Sequence, residues 1–334
     1  MMAGRRAFFY GTRMSRPAPA PHPLGVLVFL VVVPLALGCL AAPWVHRALP
    51  TLAHWIPGLE GHGHDAFEKV ANRCVQIFTL LLVWPCMRRS GTTHVIHEGL
   101  GWRPARARVF LLGLLAGVVS MAALYAIGWL LGAYRLDPDN ISLASYAGHI
   151  PFLLIGALLV GVLEEVFFRG FVFGSLRLRL PFAAALALSA GLFSVVHFIK
   201  PVPPTPIEQP AWWSGFALLP HTFAEFKPAK DWDFAATLFL MGLALAAFYA
   251  QHGHLYGIAG LHTGWVWALA SADYVLDRRA GYLDFWFSRG DLLSRGTIAV
   301  PVILLFAWWA LRPRRAPDPA QARLRALPRP PAMR

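Results

Sequence analysis

The sequence predicts an all-α protein that crosses a membrane about eight times, with both termini in the cytoplasm. Composition is the first reason, because 57% of the 334 residues are hydrophobic and only 14% are charged, which is too apolar for a soluble domain. The second reason is a series of eight separate apolar stretches close to spanning length. The third is the uneven distribution of arginine between alternate loops.

The apolar stretches divide the chain into a basic N-terminal segment (1–23), a transmembrane bundle (24–311) and a basic, Pro-rich C-terminal tail (312–334). The first stretch follows a long, Pro-rich leader, which favours an uncleaved helix over a signal peptide. The last stretch is short for a membrane span. The predicted spans are 24–42, 70–87, 109–133, 150–165, 182–199, 234–250, 255–275 and 298–311.

Charge placement predicts the orientation of these spans. Arginine is concentrated in the N-terminal segment, the 88–108 loop, the turn at Arg177 and Arg179, and the tail. The loops between them hold most acidic residues, including Glu60, Asp65, Asp137, Asp139, Glu208, Asp231, Asp277 and Asp284. This is the positive-inside pattern, so both termini are predicted to be cytoplasmic. The protein is expected in a bacterial cytoplasmic membrane.

The net charge of +13 raises the question of nucleic-acid binding. The basic residues lie at the termini and in particular loops, and they do not form a basic face with interleaved aromatic residues. We therefore expect no nucleic-acid partner. Cys39, Cys74 and Cys86 lie in or beside apolar stretches without metal-ligand spacing and are interpreted as packing residues.

Two adjacent carboxylates, Glu164 and Glu165, interrupt the fourth apolar stretch. A carboxylate in a bilayer is costly, so such residues mark a functional site by default. On a helix, Glu165 and Arg169 are four positions apart and can form an ion pair, while Glu164 points about 100° away. Glu164 is therefore the carboxylate without an evident partner.

Two histidines in later spans are candidates to join Glu164. If the fourth and fifth helices form a hairpin that turns near Pro181, Glu164 and His197 both lie about 24 Å from the turn. His262 lies in the seventh span between Gly260 and Gly264, small residues that permit close approach of a helix or a substrate. A carboxylate and two imidazoles predict an activated water and a polarised carbonyl.

These residues resemble the signatures of the type II CAAX prenyl protease family, also called CPBP or Abi. Glu164, Glu165 and Arg169 match its Glu-Glu-x-x-x-Arg motif, Phe193 and His197 match Phe-x-x-x-His, and His262 matches the start of a later His-x-x-x-Asn motif. The order and rough spacing agree over about 150–270. The departure is Val266, which stands where many members carry Asn.

The resemblance implies a metal-independent glutamic endopeptidase that cleaves a membrane-associated protein or peptide. It implies that Glu164, assisted by His197, activates water and that His262 holds the oxyanion. Glu165, Arg169 and Phe193 would order the site. Because Val266 lacks a side-chain donor, Thr263, Trp265 or a backbone group would have to replace the missing amide.

Three alternatives stay open at this point. Two histidines and a carboxylate are also a zinc ligand set, although His-Glu-x-x-His is absent; His62 with His64, and His252 with His254, are interpreted as solvated loop residues. A non-catalytic family member, such as a bacteriocin immunity factor or scaffold, would use the same carboxylates for binding. A transporter would use them for proton exchange, but no further acids predict a continuous polar path.

Overall fold

The computed structural model describes residues 23–55, 63, 65–90, 92–93, 101, 104–136, 143–279, 281, 283–287 and 296–311. Helices make up 79% of it, which confirms a mainly helical membrane protein. In chain order the elements are α1 (Pro23–Trp55), α2 (Phe67–Ser90), α3 (Pro104–Leu130), β1 (Tyr134–Leu136), α4 (Leu143–Glu165), a π-helix (Val166–Phe173), α5 (Gly174–Arg177), α6 (Phe182–Val196), α7 (Ser214–Ala217), a 3₁₀ turn (Leu219–His221), α8 (Pro228–His252), α9 (Tyr256–Val275), β2 (Leu276–Arg278), α10 (Asp284–Phe287) and α11 (Ala299–Leu311).

Each of the eight predicted spans falls on a helix, but five helices are long and apolar enough to cross a membrane. These are Gly25–Trp55, Phe67–Ser90, Pro104–Leu130, Gly148–Arg177 and Asp231–His252. The helices Phe182–Val196 and Ala299–Trp308 are apolar but shorter. The count of eight spans and the cytoplasmic termini therefore stay predictions. Residues 1–22, the tail 312–334, and His62 and His64 lie outside the described residues.

Helix α9 lies between α3 and α4, and its glycines set how closely it meets α3. A Cβ on Gly260 would overlap the backbone oxygen of Phe110, and one on Gly264 would lie 3.0 Å from the Cα of Gly117. The two helix backbones are therefore in direct contact, as small residues allow in membrane bundles. Gly260 and Gly264 accept a neighbouring helix, which is one of the two uses that the sequence predicted.

The π-helix, α6 and α8 form the other half of the core around the site. Phe168, Phe171, Phe193 and Leu245 are among its buried side chains, and the rings of Phe168 and Phe193 meet edge to face at 5.0 Å. Aromatic pairs in this geometry add to the free energy gained by burial. This half of the core therefore holds α6 firmly against the π-helix.

The loop between α6 and α8 is docked onto α1. The guanidinium of Arg47 donates to the carbonyl oxygen of Pro210 at 2.6 Å, and Gly215 meets the backbone of Cys39 so closely that a Cβ would overlap it. Trp212 and Trp213 in the same loop are more than half exposed, as expected for anchors at a membrane interface.

A two-stranded antiparallel sheet, not predicted from the sequence, joins the ends of α3 and α9. Tyr134 pairs with Arg278 and Leu136 with Leu276. The sheet is too short to show the alternation that identifies strands in a sequence. It places the C-terminal ends of α3 and α9 side by side.

Candidate active site

The two adjacent carboxylates lie where the helix geometry changes. Glu164 and Glu165 are the last residues of α4, and the π-helix begins at Val166. Such π-helical insertions occur frequently at functional sites, because the wider turn redirects the side chains that follow. The sequence does not predict this change, because a Phe-rich apolar run has no periodic signal that separates the two helix types.

Glu165 and Arg169 form the ion pair that their spacing predicts. The Nη1 of Arg169 donates to the Oε1 of Glu165 at 2.8 Å, and both side chains are fully buried. The guanidinium carbon also lies 4.6 Å from the centre of the Phe193 ring, within the range of a cation–π interaction. Arg169 therefore connects the π-helix to α4 and to α6.

His262 contacts both carboxylates, one with each ring nitrogen. Its Nδ1–H donates to the Oε1 of Glu165 at 2.8 Å, and its Nε2 lies 3.9 Å from the Oε2 of Glu164. Since a carboxylate only accepts, Glu165 fixes the proton on Nδ1 and the orientation of the ring. Glu165 thus has two partners, Arg169 and His262, where the sequence predicted one.

Gly161 allows α9 to bring His262 to this position. A Cβ on Gly161 would overlap the hydroxyl of Thr263 and lie 2.7 Å from the backbone nitrogen of Thr263. Gly161 lies one helical turn before Glu165, so the close approach occurs directly beside the carboxylates. The bond between His262 and Glu165 therefore depends on the missing side chain at 161.

His197 approaches the same group of residues from α6, whose last residue is Val196. Its Nδ1–H donates to the backbone oxygen of Phe193 at 2.7 Å, which leaves Nε2 as an acceptor in the neutral ring. Its ring centre lies 4.7 Å from that of Phe193, and the ring centre of His262 lies 6.3 Å from the same phenyl ring. The histidine predicted from the fifth span therefore packs on the same aromatic ring as His262 and Arg169.

A small cavity of about 20 Å³ opens beside His197. Charged side chains at its walls are Lys200, Glu225 and Asp231, and the remaining walls are aromatic. A cavity of this size holds a single water molecule. It lies between His197 and the loop that is docked on α1.

The two carboxylates differ in exposure and in bonding. The side chain of Glu164 is 29% exposed, whereas that of Glu165 is 0% exposed. Among the described residues, the buried Oε2 of Glu164 has no hydrogen-bond partner, and neither do the Oε2 of Glu165 and the Nη2 of Arg169. Glu164 is therefore the more exposed and less hydrogen-bonded of the two carboxylates.

The auxiliary candidates on α9 point in different directions. The indole N–H of Trp265 donates to the hydroxyl of Ser120 on α3 at 3.0 Å, a contact that the sequence did not reveal. Thr263 is fully buried against α4. Val266 is half-buried. The single donor of Trp265 is therefore used on the α3 side, away from the carboxylates.

Within the part of the chain that the structure describes, no three His, Cys, Asp or Glu side chains converge as a set of metal ligands. His252 belongs to the end of α8, rather than to a loop as predicted, and stacks on Phe248 with ring centres 3.7 Å apart. The zinc alternative therefore rests on residue types alone.

One comparison with known proteins gave a match. Residues 146–268 match the family model described as type II CAAX prenyl endopeptidase Rce1-like, and the resemblance predicted from the sequence is confirmed over this region. The match begins in α4 and ends in α9, so it contains every candidate residue described above and excludes α1 to α3. No curated protein and no solved structure matches the chain.

Proposed function

We propose that this chain, whose residues 146–268 carry the Rce1-like family region, is a membrane-embedded endopeptidase that hydrolyses a peptide bond in a membrane-associated protein or peptide. The observation that supports this most directly is the position of His262 between two unlike carboxylates. The side chain of Glu165 is fully buried and hydrogen-bonded, whereas that of Glu164 is 29% exposed. Pairs of acids in different environments are the usual basis for dividing catalytic roles.

In the proposed mechanism Glu164 is the general base. It removes a proton from a water molecule whose oxygen attacks the carbonyl carbon of the scissile bond, which gives a tetrahedral oxyanion. His197, with its Nε2 as an acceptor, helps to orient this water. When the C–N bond breaks, the proton on Glu164 passes to the leaving amine, and the carboxylate is restored.

His262 is proposed to hold the oxyanion. This role uses the form of the ring in which both nitrogens carry a proton. Its Nδ1–H is used by Glu165, and its Nε2–H then donates to the developing negative charge. The buried hydroxyl of Thr263 is the side-chain donor proposed to assist it, in place of the amide missing at Val266.

Glu165, Arg169 and Phe193 are proposed to order the site without touching the substrate. The guanidinium carbon of Arg169 lies 4.6 Å from the ring centre of Phe193. The ring centre of His197 lies 4.7 Å from it. The ring of His262 lies 6.3 Å away. A rigid aromatic surrounded by three polar side chains fixes their spacing, which is what a preorganised site needs.

The proposed substrate is a membrane-associated protein or peptide, cleaved in CAAX-like processing, protein sorting or peptide maturation. Nothing in the residues requires that it be prenylated. We also propose a bacterial cytoplasmic membrane as the location, eight spans, cytoplasmic termini and no cofactor. The positive-inside pattern supports the cytoplasmic termini. The eight helices on which the predicted spans fall support the number of spans.

The test compares the termini of membrane proteins, by mass spectrometry, between cells with the wild-type chain and cells with Glu164→Gln. A substrate is a protein whose new terminus is present with the wild type and absent with the variant. Glu208→Gln, an exposed loop substitution, is the matched control and should process normally. Identical termini in all three strains, at equal protein levels, would contradict peptidase activity.

The apolar residue at Val266 favours a second candidate, a non-catalytic member that binds a peptide without cleaving it. Such an immunity factor or scaffold would keep the group formed by Glu164, Glu165, Arg169 and His262 for binding. In the same experiment, it would give unchanged termini. A bound peptide would nevertheless be recovered with the purified wild-type chain.

A further inference from the structure

Three polar atoms lie in line along α9 without protein partners. They are the Oγ1 of Thr263, the Nε1 of Trp267 and the Oγ of Ser271, each buried and each without a hydrogen-bond partner in the described ranges. Successive members are four positions apart, so they share one helix face. We call these three residues the α9 polar track.

Contacts at both ends show that this face of α9 meets α4. At one end Thr263 packs against Gly161. At the other end Tyr274, one turn beyond Ser271, has its ring centre 5.2 Å from that of His149 and 5.6 Å from that of Tyr146. The track therefore runs along the α4–α9 interface, from the neighbour of His262 to the end of the helix.

On the opposite face of α9 the polar side chain of Trp265 has a hydrogen-bond partner, unlike those of the track. Trp265 lies between the first two track residues in sequence, yet its indole N–H is bonded to Ser120 on α3. On the α4 side Gly161 packs against Thr263, and it has no side chain that could accept or donate a hydrogen bond to the track.

An unpaired buried polar group costs about 1–3 kcal/mol, and more where lipid replaces water around the protein. Three such unpaired groups on one face of an apolar helix would therefore be stabilised by a partner that all three can bind. Water is the partner that buried polar groups recruit when the protein supplies none. The polar groups of Thr263, Trp267 and Ser271 are about 6 Å apart along the helix axis, so a row of hydrogen-bonded water molecules can connect them.

We propose that the α9 polar track is a hydrated path that brings water to the site beside His262. This inference rests on the proposed function, because hydrolysis consumes one water for each bond cleaved. A peptide that enters past the cavity at His197 would close that opening, so the replacing water needs a route that the substrate does not occupy. The track approaches from α4 and α9, whereas the cavity is formed by α8, the end of α6 and its following loop.

The first experiment measures hydration directly and does not depend on peptidase activity. Hydrogen–deuterium exchange of the indole N–H groups of Trp267 and Trp265 is followed by NMR in lipid nanodiscs, with the signals assigned by Trp267→Phe and Trp265→Phe. We expect the Trp267 proton to exchange at least ~10-fold faster than that of Trp265, which is bonded to Ser120. Equally slow exchange at the two indoles would contradict the proposal that the α9 polar track is hydrated.

The second experiment tests whether the α9 polar track supplies water to the reaction. Trp267→Phe and Ser271→Ala each remove one polar group of the track outside the proposed oxyanion site. Ser189→Ala is the control, because the hydroxyl of Ser189 is bonded to the carbonyl oxygen of Phe168. We expect the first two to lower kcat at saturating substrate while protein stability is kept, and the double variant to be no slower than the slower single variant. Fast exchange at Trp267 with unchanged kcat would show a hydrated face that does not supply the reaction.

Discussion

The Oε1 atom of Glu165 accepts two hydrogen bonds, from the Nδ1–H of His262 and from the Nη1 of Arg169, both at 2.8 Å. One buried oxygen thus joins α9 to the π-helix at the end of α4. Its neighbour Glu164 makes no such bonds within the described residues and is 29% exposed. Adjacent carboxylates therefore serve different purposes, and their substitutions should have different effects.

Glu165→Gln should destabilise the protein and remove activity together. The amide cannot balance the charge of Arg169, and breaking a buried ion pair by removing one partner costs about 3–5 kcal/mol. Thermal unfolding in detergent and the amount of protein in the membrane measure the effect. A variant that unfolds like the wild type would show that Arg169 and His262 do not depend on Glu165.

Glu164→Gln should remove activity and leave stability nearly unchanged. Loss of a general base lowers the rate by about 100-fold or more, whereas no described hydrogen bond depends on the Glu164 carboxylate. Cleavage of a substrate found by terminus mapping gives the rate, and thermal unfolding is the control. Normal processing by this variant would reject Glu164 as the base.

Gly161→Ala should lower activity by displacing His262. The new Cβ would lie 2.7 Å from the backbone nitrogen of Thr263, so α9 has to move away from α4 and lengthen the bond between His262 and Glu165. A matched control exists in the same helix, because a Cβ on Gly156 meets nothing within 4 Å.

Gly156→Ala should keep activity, and helix propensity makes it neutral or slightly stabilising. Cleavage rate and thermal unfolding are measured for both variants. Equal behaviour of the two would mean that the contact between Gly161 and Thr263 does not position the histidine.

The features that the sequence predicted correctly are those that depend on local spacing. The ion pair of Glu165 and Arg169 follows from an i, i+4 relation, and the helices follow from apolar runs. The adjacent carboxylates also marked the candidate site, because charge inside an apolar helix has few structural uses; its catalytic role stays a prediction.

The features that could not be predicted from the sequence depend on contacts between distant segments. His262 and Glu165 are 97 positions apart, and only the packing of α9 on α4 decides which carboxylate the histidine meets. The bond from Trp265 to Ser120 spans 145 positions and likewise has no local signal. The π-helix after Glu165 also lies in an apolar run without a periodic signal that distinguishes it from an α-helix.

Activity should persist in the presence of a metal chelator. In the proposed mechanism the base is Glu164, and Nδ1 of His262 is bonded to Glu165, so no step uses a metal ion. Purified protein is dialysed against chelator, and cleavage is measured before and after. Loss of activity that zinc alone restores would overturn the glutamic mechanism and favour the zinc alternative.

Val266→Asn should preserve or raise activity. The amide would add a donor on the turn of α9 that follows His262, and one donor to an oxyanion is worth about 100-fold or more in related chemistry. Val266→Leu is the matched control, since leucine has nearly the shape of asparagine without its polar atoms. The cleavage rate of each variant is compared at equal protein level. Complete loss with Asn and normal activity with Leu would show that position 266 does not face the oxyanion, and the proposed assignment of Thr263 as the assisting donor would lose its basis.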